Sequence, residues 1–166
     1  MEGADFLLTV SELSLALVTF TALVLVLRQV VGGRLQPIHV LIVRMFAACG
    51  ITGVFLSLLP FILEFMGLGA DLIWRVSSGT LAVTGSSLSI WYFMRRRQVA
   101  PDRPHNAGSL LSFVASLYFP IVLPMHASGL IYKDSIGPFS IGLVVIFVPV
   151  TAAFFASVED FISSSE

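Results

Sequence analysis

Charged residues are scarce in this sequence. Only 11% of its 166 residues are Asp, Glu, Lys or Arg, and 57% are hydrophobic, whereas a soluble domain has roughly 25% charged and 45–50% apolar residues. This composition excludes an ordinary soluble protein. It predicts a single integral membrane domain over residues 1–166, with the lipid bilayer as its surroundings. The few arginines leave no basic face for nucleic acid, so nucleic acid is not an expected partner.

Cysteine is almost absent as well. The single Cys49 lies within an apolar run, which excludes an intrachain disulfide and a cysteine-rich metal site. A free cysteine usually behaves as a small buried apolar side chain, and we expect that role here. The start MEGADF lacks the basic region of a signal peptide, and the apolar run after it is too long for one. We interpret that run as a retained first span.

Recognisable enzyme motifs are missing. The sequence has no HExxH, P-loop or GxSxG pattern. Two histidines that held a membrane haem would have to lie at one depth, whereas His39 and His126 fall near opposite ends of their predicted spans. We therefore predict no catalytic, metal-binding or cofactor-binding residues and no cofactor, and the sequence favours a protein that is not an enzyme.

The clearest feature that is present is the stretch from Leu72 to Arg97. It begins with Trp74 and Arg75, continues without charge, and reaches Trp91 shortly before three consecutive arginines. The two tryptophans are roughly 25 Å apart along a helix, which is close to the thickness of the hydrocarbon core. Aromatic residues at both ends and a basic inner end are typical of a membrane-spanning helix.

Four further apolar stretches are long enough to cross a bilayer. The sequence therefore predicts an all-α fold, a polytopic membrane bundle of five transmembrane helices. Their approximate bounds are 6–27, 38–66, 72–94, 109–132 and 138–158. Pro120 and Pro124 each remove a backbone N–H from the fourth helix, so we expect its outer half to kink.

Arginines fix the predicted orientation. The connections after the first and third spans carry six arginines together, whereas those on the other side hold only Asp71 and the Lys133–Asp134 pair. Basic loops stay in the cytoplasm. The prediction is an N-terminus outside and a C-terminus in the cytoplasm.

One face of the first span is polar. Asp5, Thr9, Glu12, Ala16 and Thr19 recur at steps of four and three, which places them on one side of a helix. Glu12 lies about 9 Å inside the first turn. Because an ionisable group at this depth is costly against lipid, we expect this face to contact protein or water.

Small residues form stripes on three other spans, and such stripes let helices approach closely. The third span is rich in Ser, Thr and Gly, and two interpretations stay open for it: tight helix packing, which is the commoner use, or the polar wall of a permeation path. The stripes are Gly50, Gly53, Ser57, Pro60 and Glu64; Arg75, Gly79, Ala82, Ser86 and Ser89; and Gly142, Val145, Pro149, Ala152 and Ala156.

Four ionisable side chains share one depth and form a candidate intramembrane polar cluster. Glu12, Glu64, Arg75 and His126 come from four spans and fall in the outer third, roughly 4–9 Å from the outer ends. We expect Glu12 or Glu64 to pair with Arg75, because an unpaired charge is costly in lipid. The cluster is then either an ion-paired structural clasp, which we favour, or an outward-facing pocket or ion relay in which His126 titrates.

Arg44 is separate from this cluster. It lies about 9 Å from the inner start of the second span, nearly opposite the stripe of small residues. Its long side chain can extend back to the headgroups. Alternatively, it binds a buried partner or a lipid phosphate at an inner polar site.

Several short phrases in the first half of the chain carry a resemblance to a known group of proteins. They are Ser11-Glu12-Leu13-Ser14, Phe20-Thr21-Ala22-Leu23, Leu58-Leu59-Pro60 and Trp74-Arg75-Val76-Ser77-Ser78. Through them the chain resembles a loose group of small uncharacterised bacterial multi-pass membrane proteins. The resemblance implies a bacterial inner membrane and assigns no reaction or substrate.

These features favour a non-enzymatic membrane subunit or scaffold that acts through helix–helix association. Five spans leave several smooth faces that a single chain does not bury. The expected partners, besides the lipid bilayer, are a second copy in a homo-oligomer or a larger membrane complex. The alternative is a small ion or solute transporter that uses the outer polar cluster.

Overall fold

The computed structural model describes residues 3–31, 37–99, 107–131, 135–152 and 155. All regular secondary structure in these residues is helical, so the predicted all-α helix bundle is confirmed. The helices are α1 (Ala4–Val31), α2 (Pro37–Phe65), α3 (Ala70–Val99), α4 (Ala107–Ser116), α5 (Tyr118–Ala127) and α6 (Gly137–Val145).

Proline and glycine set several helix ends. Pro37 opens α2 and Pro138 lies in the first turn of α6, where a missing N–H removes no hydrogen bond of the helix. Gly67 follows α2 with φ at +80°, a conformation that glycine adopts without strain. Its N–H donates to the carbonyl of Glu64 at 2.9 Å, which closes the last turn.

The fourth predicted span consists of two helices. α4 ends at Ser116, and α5 begins after a turn at Leu117, whose N–H donates to the Val114 carbonyl at 3.2 Å. Pro120 has no N–H for the Ser116 carbonyl, and its ring crowds that carbonyl. Pro120 therefore explains the break, which falls near the middle of the span, while Pro124 stays inside α5.

Pro149 has the same effect on the last span. It lies four residues after Val145, where α6 ends, and offers that carbonyl no N–H. Phe147 instead donates its N–H to the Val144 carbonyl at 3.1 Å, and helical residues resume at 148. The resulting apolar helical stretch is Gly137–Ala152. The end of the predicted span, residues 156–158, lies outside the described residues.

Within the described residues, three helices are long and apolar enough to cross a membrane, and they indicate a membrane protein. They are Ala4–Leu27, Pro37–Phe65 and Leu110–Ala127, the last of which joins α4 and α5. α3 has the length, but its Ser, Thr and Gly content leaves it less apolar, and Gly137–Ala152 is shorter.

α3 is the central helix of the bundle. It packs against α2, α5 and α6, and more lightly against α4, whereas α1 packs chiefly against α2. Fully buried Leu81, Leu123, Phe139 and Leu143 fill the space where α3, α5 and α6 meet. Gly142 fits closely there, since a Cβ on it would lie 2.7 Å from the Leu81 side chain.

Glycines also bring neighbouring helices together at two seams. A Cβ on Gly85 of α3 would overlap the ring of Phe119 on α5. A Cβ on Gly50 of α2 would lie 2.9 Å from the carbonyl oxygen of Ser14 on α1, and Gly53 faces the same serine. Such close contact supplies the van der Waals attraction that holds helices together in lipid.

The predicted stripes differ in how well they match these seams. On α2, Gly50, Gly53, Ser57 and Pro60 are buried but Glu64 is exposed. On α3 the buried face is turned slightly from the prediction. Gly79 packs on Ala127 and Ala82 is buried, but Ser86 and Ser89 are only half-buried. The buried residues of α3 are Ile73, Trp74, Ser77, Ser78, Leu81, Ala82, Gly85 and Tyr92.

Candidate functional site

α5 ends in a glycine turn beside α3. Gly129, with φ at +75°, donates its N–H to the His126 carbonyl at 2.9 Å, and Leu130 donates to the Met125 carbonyl at 3.0 Å. This pair of hydrogen bonds is a Schellman turn. A helix supplies no donor for its last carbonyls, and the negative end of its dipole lies there. The end of α5 therefore favours a cationic donor.

Arg75 of α3 supplies that donor. Its Nε donates to the carbonyl of Ala127 at 3.0 Å, and its Nη2 lies 3.5 Å from the carbonyl oxygen of Ser128. A guanidinium suits this position because it carries a permanent charge and a planar fork of N–H groups. Arg75 thus joins α3 to the C-terminal end of α5.

The same guanidinium contacts an acid on its own helix. Nη1 of Arg75 lies 3.5 Å from Oδ2 of Asp71, one turn earlier, and the two side chains are 38% and 48% exposed. Half-exposed pairs at this spacing stabilise a protein by at most about 1 kcal/mol. The contact with the α5 carbonyls is therefore the main one.

Ser78 and His126 form a second contact across the same seam. Oγ of Ser78 lies 2.7 Å from Nδ1 of His126, with the donor set by the histidine tautomer, and both side chains are fully buried. A hydroxyl and an imidazole at this distance also occur as nucleophile and base. Here the pair is closed to solvent, so the arrangement stabilises the α3–α5 seam.

Ser77, next to this pair, has a different environment. It is fully buried, and its Oγ has no hydrogen-bond partner. A serine in a helix can donate to the carbonyl four residues earlier, as Ser14 does to Val10 at 2.7 Å. A buried hydroxyl without a partner costs about 1–3 kcal/mol. Ser77 is thus an unsatisfied polar group in the centre of the bundle.

Of the four residues in the predicted cluster, the structure brings Arg75 and His126 together. Within the described residues the ion pair present is Arg75 with Asp71, and neither Glu12 nor Glu64 takes part in it. Both glutamates are exposed on the surface of the bundle. The partners of Arg75 are therefore Asp71 and backbone carbonyls, and the function predicted for the cluster stays a prediction.

Glu12 is exposed because α1 packs on α2 through its opposite face. Over residues 4–27 of α1, the buried side chains are those of Leu7, Val10, Ser14 and Thr21, and Ser14 fits against glycines of α2. All five residues of the polar face point away from the bundle, and we call them the α1 outer stripe. They are Asp5, Thr9, Glu12, Ala16 and Thr19.

Two further predicted positions, Arg44 and Cys49, lie on α2. Arg44 is exposed on α2, and its contact with a lipid phosphate stays a prediction. Cys49 is fully buried, as expected. Across the described ranges, no three His, Cys, Asp or Glu side chains lie close enough to hold a metal ion.

Two side chains that contact Arg75 and His126 were not predicted. Asp71 lies four residues before Arg75, a spacing that pairs opposite charges on a helix, so the sequence does carry that signal. Ser78 is recognisable only once α3 and α5 are known to be neighbours, because no local pattern links residues 78 and 126.

Comparisons with known proteins add no functional assignment. No protein-family model matches the chain, and neither a curated protein nor a solved structure shows a significant match to it.

Proposed function

We propose that this protein is a non-enzymatic membrane subunit that acts by associating with other transmembrane helices. The observation that carries the proposal is the α1 outer stripe. α1 is long and apolar enough to cross a bilayer, yet it presents the carboxyl group of Glu12 on a face that the described residues leave uncovered. Lipid satisfies such a group poorly, whereas a neighbouring helix can satisfy it.

The surroundings of Glu12 support this role. Glu12 lies eight residues after Ala4, about 12 Å into the helix. Leu8 and Leu15 are exposed on one side of the stripe, and Leu13 and Phe20 on the other. Small and polar residues at the centre with apolar residues at the flanks are typical of contacts between transmembrane helices.

The proposal includes five crossings, in a bacterial inner membrane, with the N-terminus outside and the C-terminus in the cytoplasm. α3 packs between α2 and α5, so it is shielded from lipid on those sides and tolerates a lower apolarity. Gly137–Ala152 packs on both α3 and α5. The exposed Arg95 and Arg97 then mark the cytoplasmic end of α3.

Site-specific photocrosslinking in the native membrane tests the proposal. A benzoylphenylalanine in place of Ala16 lies on the outer stripe and should give adducts with another protein. The same group in place of Val10, which is buried against the bundle, should give intramolecular products only. If exposed positions on α1, α2 and α3 all yield no intermolecular adduct, the chain does not act by association.

A small ion or solute transporter is the second candidate. It is favoured by the buried side chains of Ser78 and His126, which meet between α3 and α5, and by the buried Ser77 next to Ser78 in the chain. Cysteines placed along the buried face of α3 and probed with water-soluble reagents test this function. Labelling along that whole face would support a path, and labelling restricted to its two ends would exclude one.

A further inference from the structure

We infer that the α1 outer stripe binds a transmembrane helix of another protein, one that carries a basic side chain at the depth of Glu12. This inference rests on the proposed function and names the partner. Three observations carry it: the hydrogen bonds already made by the polar groups of the α1 outer stripe, the small side chains that let another helix approach, and the positions of the described cations.

Glu12 is the group in the α1 outer stripe that needs a hydrogen-bond donor. The hydroxyl of Thr9 donates to the Asp5 carbonyl at 2.8 Å, and that of Thr19 donates to the Leu15 carbonyl at 3.0 Å. The threonines are therefore satisfied within α1. An ionised carboxylate only accepts hydrogen bonds, so the partner must present N–H or O–H groups, and a cation also balances the charge.

The stripe also allows a partner helix to come close. Ala16 lies one turn from Glu12 on the same face, and Thr9 and Thr19 are compact. Small residues on an interface let two helix backbones approach, which brings a side chain from the partner within reach of Glu12. The larger exposed side chains, such as Leu13 at 62% exposure, lie to the sides.

Among the described residues, a second copy of the chain does not provide the cation. Two copies inserted in the same direction and joined through α1 bring Glu12 to Glu12. Gly50 of α2 meets Ser14 of α1. Arg44 lies about 9 Å along α2 from this meeting point, on the side away from Glu12. Arg75 is engaged by α5, and residues 95–97 are at the end of α3. Charge complementarity therefore favours a different protein.

Synthetic transmembrane peptides provide a defined probe. A leucine–alanine helix of about 20 residues carries a single lysine at the depth of Glu12 in one version and leucine at that position in the other. The full-length protein is labelled at Gln98→Cys, an exposed position, and reconstituted in lipid vesicles. Energy transfer between this label and a label on the peptide reports binding. Cys49 is buried and stays unlabelled. Trp74 fluorescence confirms that each variant is folded.

We expect the lysine peptide to bind wild-type protein about tenfold more tightly than the leucine peptide, in keeping with an interhelical polar contact in lipid. Glu12→Leu should abolish this preference. Glu64→Leu, which removes the other exposed glutamate of the described residues, should retain it. Equal binding of the two peptides, or a preference that survives Glu12→Leu, overturns the inference.

Two outcomes separate this inference from the proposed function. Adducts at Ala16 together with no lysine preference would leave the association intact and overturn the basic partner. Energy transfer between differently labelled copies of the protein would identify a second copy as the occupant if Glu12→Leu abolishes that transfer. This outcome also overturns the inference.

Discussion

α1 and α3 are nearly equal in length, at 28 and 30 residues, but they differ in composition and in their position in the bundle. α1 is strongly apolar and lies at the edge of the bundle, where it packs chiefly on α2. α3 is rich in Ser, Thr and Gly and lies at the centre. In lipid, an apolar surface is the natural exterior, and polar and small residues are used where helices meet.

The two helices also satisfy their polar groups differently. In α3, hydroxyls such as that of Thr80 donate to their own helix, but Arg75 and Ser78 reach across to α5, to backbone carbonyls and to His126. In α1, the hydroxyls turn back to their own helix and the carboxyl group of Glu12 points outward. The contacts of Arg75 and Ser78 therefore stabilise the fold, whereas the carboxyl group of Glu12 belongs to no ion pair of the described residues. Four predictions test this contrast.

The largest effect is expected at the closest contact of α3. Gly85→Ala places a methyl group against the ring of Phe119, and overpacking of this kind costs about 3 kcal/mol. Unfolding in mixed micelles, followed by fluorescence of Trp74 in a Trp91→Phe background, measures the change. Gly69→Ala is the matched control, because no atom lies within 4 Å of that methyl position. Equal stability of the two variants would show that α3 and α5 are not in close contact.

A smaller effect distinguishes two adjacent serines of α3 that are equally buried. Ser78→Ala removes the hydrogen bond to His126 and should lower the free energy of unfolding by about 2 kcal/mol. Ser77→Ala removes a hydroxyl that has no partner, so it should leave stability unchanged or raise it by up to about 1 kcal/mol. A larger loss from Ser77→Ala than from Ser78→Ala would contradict the assigned seam.

These serines show where prediction from sequence ends. The helices, the small residues at Gly50 and Gly53, and the burial of Cys49 follow from composition and spacing along one helix. The link from Ser78 to His126 depends on which helices are neighbours, and that is decided by packing between distant segments. Helical periodicity identifies a face but does not identify what that face contacts.

Glu12 illustrates the same limit. Its spacing correctly places it on one face with Thr9 and Ala16, yet the fit of Ser14 against Gly50 decides which face of α1 turns inward. Arg75 was expected to need a carboxylate partner from another helix. The free carbonyls at the end of α5 take that role. Because every residue has a backbone carbonyl, the sequence does not show which carbonyls will accept from Arg75.

Arg75→Leu should have a moderate effect. It removes the cationic donor from the end of α5, and both the dipole and the hydrogen bond predict a loss of about 1 kcal/mol. Asp71→Asn, which weakens the half-exposed ion pair and removes a negative charge from the first turn of α3, should change stability by about 0.5 kcal/mol. The same micelle unfolding assay compares them. If Asp71→Asn is the more damaging of the two, the ion pair and not the α5 carbonyls holds this end of the seam.

Glu12→Gln should have the smallest effect on the isolated chain. The side chain is exposed and belongs to no ion pair of the described residues, and surface substitutions of this kind change stability by less than about 0.5 kcal/mol. The neutral amide keeps the size of the side chain, so any change reports charge alone. A loss comparable to that of Ser78→Ala, measured on dilute protein in micelles, would show that Glu12 contributes to the fold of its own chain. α1 would then resemble α3, and the outer stripe would no longer be a surface reserved for a partner.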